Sequence, residues 1–435
     1  MRASFPQRDD AVPHRADQGR LAGMTHAAPV RARTAYLEAT SPCIEALMDM
    51  RAVREYVEAN GFIVVDSAAR ADVVFVQTCA VDQLREDRAA AQITGLKGGL
   101  RPEQELVVTG CMVKINPERL GRIHQGPAVA PSKMAQLDTL LDATVSIEEF
   151  DPDRLDDDYV RNIPVVTARA YRRLLQGAAG VDARAGTRLR ERLNRTVHYH
   201  PLKQMGFLRV GKGCLGHCAF CAIKHARGHL QSMAPDRIEQ SLRRQLDQGR
   251  RFFYIVATDA GAYGLDIGTD LAELLQRLLA VDADFELGID YLSPDHLVRM
   301  WPRLRPLMAD RRVRFACVPV QSGSQAVLDR MIRPYRADEV AACLAELAEA
   351  APQCVIKGIF MVGHPGEGRD EFRESKHLVA TTPFHNLTVL TYTPRPGTRS
   401  SRWPDEVPER EKQRRRYELF GWWAMSRGLR RVRRA

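Results

Sequence analysis

Apolar and polar positions fall into two blocks in which helix-like and strand-like patterns alternate. In the first block, "CIEALMDMRAVREYVEANGF" (residues 43–62) repeats apolar residues at helical spacing and closes on the stop signal Asn60-Gly61. "ADVVFVQTCA" (71–80) and "ELVVTGCM" (105–112) are short apolar runs that read as buried strands, ending in Cys79 and Cys111. Between them "LREDRAAAQITGL" predicts a helix. Strands alternating with helices predict a small parallel α/β domain over about residues 35–150.

The second block opens at "MGFLRVGKGC" and continues through strand-like "RFFYIVAT", "ADFELGID", "VRFACVPV", "CVIKGIFMVG" and "HNLTVLTYT". Helical stretches such as "PDRIEQSLRRQLDQG" and "RADEVAACLAELAEA" fall between these strands. Repeated strand–helix units of this length predict a parallel barrel, or part of one, over residues 204–400. Three segments lack such patterning. Residues 1–34 read as a disordered extension, with Met24 a possible true start. Residues 151–203 read as a charged, Arg-rich linker, and 401–435 as a basic tail.

Composition adds few constraints. The chain of 435 residues is 45% apolar and 27% charged, ordinary for a soluble globular protein of two or three domains. No run approaches the roughly 18 apolar residues of a membrane span, and the N-terminus lacks the apolar core of a secretory signal, so a cytoplasmic protein is expected. The net charge of +10 is concentrated: residues 409–435 hold ten Arg or Lys against three Glu, or +7. That tail is either a solvated helix face or a polyanion-binding surface, and Trp422 and Trp423 in it either stack on bases or dock the helix.

The nine cysteines divide into two kinds. Cys317, Cys343 and Cys354 sit singly in apolar or helical surroundings and read as buried inert thiols. Three more crowd into "VGKGCLGHCAFCAIKHARG" (210–228), just after the first strand of the second block, where a parallel barrel places its active-site loops. Three thiolates leave one iron of a cubane cluster without a protein ligand, and an open metal position marks chemistry. Gly211, Gly213 and Gly216 suit a loop wrapped closely around a bulky inorganic group. The alternative is a zinc knuckle completed by His217 or His225.

The spacing Cys214-x3-Cys218-x2-Cys221, with Phe220 before the last cysteine, resembles the radical S-adenosylmethionine (SAM) enzymes. In that family SAM chelates the fourth iron and is cleaved to a 5′-deoxyadenosyl radical, which attacks a C–H bond that no side chain can activate. "PCIEALMD", "QTCAVDQLRED" and "VTGCM" further resemble the N-terminal domain of the methylthiotransferases, where Cys43, Cys79 and Cys111 would hold a second [4Fe–4S] cluster with one open iron. "ATDAGAYGLD", "PVQSGSQAVLDRM", "FMVGHPGEGRDEF" and "TYTPRPGT" match the same family in order, so that the resemblance spans about residues 35–415.

The resemblance implies two [4Fe–4S] clusters, SAM as cofactor, and an external electron donor such as a flavodoxin or ferredoxin. It implies that Phe220 lies near the adenine of SAM, and that Asp259, Tyr263, Gln321, Ser322, Glu367 and Arg395 line the SAM and substrate cavity. "QSGS" and "YTPRPGT" are closest to the branch acting on transfer-RNA adenosine. Family members acting on RNA usually carry a C-terminal β-barrel, the TRAM domain, whereas "VPEREKQRRRYELFGWWAMSRGLRRVRRA" follows here. Both RNA and peptide or protein substrates therefore stay open, as do a radical SAM enzyme that modifies peptides or natural products without methylthiolation and a non-enzymatic Fe–S or zinc nucleic-acid binder. "SPC" replaces a usual Gly before Cys43, and "GHPGE" places His364 where Phe is typical, either altering the pocket or exposed.

Overall fold

The computed structural model describes residues 32–41, 43–152, 205–404 and 407–432. The extension expected before Thr34 and the linker expected over 151–203 lie, apart from a few boundary residues, outside the described residues. Five parallel strands form the first sheet: β1 (Thr34–Ala39), β2 (Ile63–Val64), β3 (Val73–Thr78), β4 (Glu105–Gly110) and β5 (Ala128–Val129), in the order β2-β1-β3-β4-β5. β3 is buried at every position, as a β-branched run covered on both faces must be. Helix α1 (Ile44–Ala59) buries Met50, Val53, Tyr56 and Val57 against Leu37 and Phe75. It stops where Asn60 Nδ2 donates to the Tyr56 carbonyl at 2.9 Å and Gly61 turns left-handed. Helix α2 (Gln83–Gly99) starts at Asp82, whose side chain accepts from the Arg85 amide. β1 had no clear sequence signal, because "TAYLEA" alternates only briefly and carries Glu38.

The second sheet has six parallel strands: β6 (Met205–Arg209), β9 (Phe252–Val256), β10 (Glu286–Ile289), β11 (Val313–Gln321), β12 (Val355–Val362) and β13 (Asn386–Thr391). Apart from a small antiparallel ribbon, β7 (Gly211–Lys212) with β8 (Gln231–Ser232), their spatial order follows the chain from β6 to β13. Each connection returns through a helix, the arrangement of a partial (β/α) barrel. Alternate residues, among them Leu287, Ala316, Ile356, Phe360 and Val389, pack into the helical layer. The residues between them form the inner face.

After Thr398 the described residues hold a short 3-10 turn (Ser400–Arg402) and then helix Glu409–Val432, which packs on helix Arg369–Thr381 and on β13. Trp423 donates its indole N–H to the Phe384 carbonyl at 3.1 Å, so this tryptophan docks the helix. Trp422 stays 43% exposed, with the Lys376 ammonium 5.5 Å from its ring centre. Arg414 and Arg415 pair with Glu411, Glu418 and Glu367, which neutralises part of the basic run.

Both sheets belong to one unit starting at Arg33, and several contacts join them. Met48 of α1 packs with Phe207, Phe252 and Val256 of the barrel. Asp49 lies between two barrel guanidiniums, 3.0 Å from Arg209 and 2.9 Å from Arg227. Ala222 and Ala226, immediately after the cysteine run, enter the first domain's core beside Met112 and Ile115. Helix α1 thus covers the β6–β9 end of the inner face.

Candidate active site

The strand ends of the first sheet gather three cysteines. β1, β3 and β4 are neighbours, and Cys43, Cys79 and Cys111 follow their carboxyl ends, Cys43 as the residue capping α1. Gly110 makes the closest approach possible: its φ is +100°, and a Cβ there would stand 2.3 Å from the Thr78 carbonyl oxygen. The Cys111 amide accordingly donates to that same oxygen at 3.0 Å. Cys43 is solvent-accessible, yet surrounding protein pushes its thiol up to about 12, with Arg227 opposing and Glu45 and Cys79 adding. Burial also raises Cys111, again against Arg227 and with Cys79 and Cys43 adding. The three thiols therefore lie within electrostatic reach of one another, at the strand ends.

The second triad sits on the loop after β6. Gly213 is left-handed at φ +76°, and a Cβ there would meet the His229 carbonyl oxygen at 2.0 Å. A Cβ on Gly216 would stand 3.2 Å from the Cys214 sulfur and 3.6 Å from that of Cys218, so the glycine lets the loop close around both. Burial pushes Cys214 up to about 11 and Cys221 to about 12, with Cys218 adding to each. Arg333 donates to the Cys218 sulfur at 2.9 Å and also reaches Ser293 Oγ and the Pro319 carbonyl. His217 and His225 are exposed. Among the described residues no three His, Cys, Asp or Glu side chains converge tightly enough to hold a single ion.

A charged cluster lies beside the first triad. Burial opposes the charge on Arg227, but Asp49, Glu45, Cys111 and Cys43 outweigh it and push its pKa up. Glu45 turns the other way and accepts from Thr258 Oγ1 at 3.0 Å.

Two profiles match the chain: Radical SAM superfamily over residues 208–379, and Uncharacterized protein family UPF0004 over residues 36–130. A probable threonylcarbamoyladenosine tRNA methylthiotransferase of Pyrococcus abyssi is 27% identical over 344 residues, covering 79% of this chain and 73% of that protein. The ribosomal protein uS12 methylthiotransferase of Herpetosiphon aurantiacus is also 27% identical, over 86% of this chain and 81% of its own. Both domains and the relatives' names agree. The chain combines a radical SAM domain with a UPF0004 domain and is similar across both to proteins named methylthiotransferases. Among solved structures, the radical SAM methyltransferase TsrM of Kitasatospora setae, determined with cobalamin and a [4Fe–4S] cluster, shares the fold at TM-score 0.57 and 13% identity, over 85% of this chain and 77% of its own.

The cofactors of a radical SAM methylthiotransferase are S-adenosylmethionine and two [4Fe–4S] clusters. The residues present fit them. Each triad offers three thiols, the first at strand ends and the second on the loop after β6, and glycines clear that loop around the second.

The other residues expected at the cavity divide into two groups. Asp259 is within electrostatic reach of Cys214; burial raises its pKa, His296 opposes, and the two side chains are 3.6 Å apart. Gln321 ends β11 in a left-handed backbone (φ +68°), with its buried Oε1 lacking a hydrogen-bond donor among the described residues. Phe220 meets the ring of His364 edge-on at 6.2 Å. The remainder make internal ties. Tyr263 is a core residue whose hydroxyl donates to the Met233 carbonyl at 3.0 Å. Ser322 pairs with Ser375, and Glu367 with Arg415 at 2.7 Å. Arg395 forms a buried ion pair with Glu86 of α2, joining the end of the barrel to the first domain.

His364 is buried, not exposed, inside Phe220, Tyr392 and Trp403. Arg227 and Arg333 carried no signal that sequence reading isolates among so many arginines.

Proposed function

We propose that this protein is a cytoplasmic methylthiotransferase acting on tRNA, replacing a C–H hydrogen of a threonylcarbamoyl-bearing adenosine with a methylthio group. The observation that carries this reading is the presence of two three-thiol sites in one chain, one on the strand ends of the first sheet and one on the loop after β6, each one ligand short of closing a cubane. Cys214, Cys218 and Cys221 hold the radical SAM cluster, and Cys43, Cys79 and Cys111 hold the auxiliary cluster. When bound, these groups supply the hydrogen-abstracting radical and the sulfur to be transferred, with electrons from a donor of the flavodoxin or ferredoxin kind.

The chain's own residues position and insulate this chemistry. Arg333 fixes the Cys218 sulfur from one side. Arg227 places a positive charge beside Cys43 and Cys111, which favours their thiolate forms as ligands. Gln321 and Asp259 supply polar atoms near the strand ends for SAM. Helix α1 covers one end of the inner face and excludes water there.

The test is anaerobic reconstitution with iron and sulfide, followed by SAM cleavage and mass analysis of tRNA and ribosomal-protein pools. Two clusters in the wild type are expected. A Cys43→Ala/Cys79→Ala/Cys111→Ala variant should hold one, still make 5′-deoxyadenosine, and transfer no methylthio group. A methylthio product on ribosomal protein alone would replace the tRNA assignment, and a single cluster in the wild type would remove the sulfur carrier.

A further inference from the structure

The inner face of the second sheet carries a polar row that neither triad uses. Cys317 of β11 pairs in register with Lys357 of β12, and Lys357 with Asn386 of β13. Asp290, one residue past β10, completes the row beside Cys317. All four alternate with residues buried in the helical layer (Ile289, Ala316, Ile356 and Leu387), so they face inward. Beneath them lies an aromatic layer in which Tyr254 and Phe315 meet at 5.4 Å.

Lys357 is half-buried, and its ammonium makes no hydrogen bond or ion pair within 4.0 Å among the described residues. Asp290 lies within its electrostatic reach, and burial pushes that carboxyl up, toward the neutral form. A cation on a cavity wall with no close counter-ion favours an anionic ligand.

Tyr291, next to Asp290, adds a second, independent observation. It is left-handed at φ +50°, a strained conformation for an aromatic residue, and its carbonyl is held by the Ala260 amide at 3.1 Å. Its side chain is 43% exposed, yet protein lies around it on the cavity side, with Asp290, Cys43, Cys317 and Glu45 all in electrostatic reach. The row therefore opens toward the Cys43 triad, where sulfur transfer is placed.

We propose that Lys357 is a substrate subsite that binds the carboxylate of the threonylcarbamoyl group, with Tyr291 beside it offering a ring face to the base. The inference rests on the tRNA reading above and deepens it, by making the acid already on the nucleoside the feature selected. An ion pair across the cavity orients the adenine, and the methylthio-accepting carbon is then presented toward the Cys43 side. Without the acid, the ammonium stays uncompensated in the bound complex, which penalises the unmodified adenosine.

The test measures binding of synthetic anticodon stem-loops to the cluster-loaded protein without reductant, so that no turnover occurs. Three loops are compared: threonylcarbamoyladenosine, its methyl ester, and unmodified adenosine. Wild type should prefer the acid over the ester by about tenfold or more, as expected for a charge-assisted contact. Lys357→Met should abolish that preference and Lys357→Arg should largely keep it, with circular dichroism confirming that both fold. Equal affinity of wild type for acid and ester overturns the inference. So does a Lys357→Met loss that is the same for all three loops, which would assign the lysine to a backbone phosphate. Binding to none of the loops, with no methylthiolated RNA, removes the tRNA reading itself and this subsite with it.

Discussion

Half-buried Arg333 donates to a ligand sulfur, and although burial opposes its charge, Tyr335 and Cys218 hold it protonated. A hydrogen bond from a cation stabilises the more negative, reduced state of a cluster. Arg333→Gln is therefore expected to shift the midpoint potential of the Cys214–Cys221 cluster to more negative values. The shift is measured by redox titration in the Cys43/Cys79/Cys111 triple-alanine background, where only that cluster remains; an unchanged potential would leave Arg333 a packing residue. His364 gives a second prediction. Burial depresses its pKa from 6.5 to about 4, so the folded state resists protonation that the unfolded chain accepts. The neutral ring costs nothing above pH 6.5, and stability is lost as pH falls from there through 4, by about 3 kcal/mol at most. His364→Phe should flatten that part of the thermal-stability profile. The cysteine identities were readable from spacing alone, whereas neither Arg333 nor the cage around His364 was, because both depend on side chains far apart in sequence.

Helix α1 is the element on which the two halves meet. Its apolar positions were readable at helical spacing, and they fix one face against β1 and β3. Its other face meets the barrel through Met48, Asp49 and Glu45, and nothing in the local pattern distinguishes those residues from an ordinary solvated face. Among the described residues, Asp49→Ala leaves buried Arg209 with the more distant Asp151 and the Glu45 carbonyl, and Arg227 with Glu45 at 3.6 Å. The expected cost is about 3–5 kcal/mol, seen as a lower urea midpoint. Loss of the first domain before the second, in separate transitions, is the expected form of the unfolding curve; a midpoint like that of the wild type would show the pair to be dispensable.

At the scale of the whole molecule, both thiol triads lie on strand ends and loops, outside the four apolar clusters that hold the sheets. Cys111 comes nearest, as a partly buried residue at the edge of the core around Met112. Chelating the iron from reconstituted protein should therefore bleach the visible absorbance while leaving far-UV circular dichroism largely intact. A collapse of secondary structure on iron removal would mean that the clusters, and not the apolar contacts of α1 and of Ala222 and Ala226, join the two sheets. The exposed part of the C-terminal helix contributes less charge than its composition suggests, since Arg414 and Arg415 are already paired.

The sequence by itself determined the fold class and the chemistry of the cysteines. Both are local: strand–helix alternation is written in the period of apolar residues, and Cys214, Cys218 and Cys221 sit on one loop whose spacing sets what they can bind. The tertiary structure decided which distant residues meet. Cys43, Cys79 and Cys111 meet because β1, β3 and β4 are adjacent and in parallel register, and because Gly110 lets two strand ends touch. Arg333 reaches Cys218 across 115 residues, and Asp49 reaches Arg227 across 178. Lys357 became a candidate only when register placed it inward beside Asp290 and Asn386. A periodic pattern fixes which face of an element is buried, but the partner across that face is set by strand order and register, which no single segment encodes.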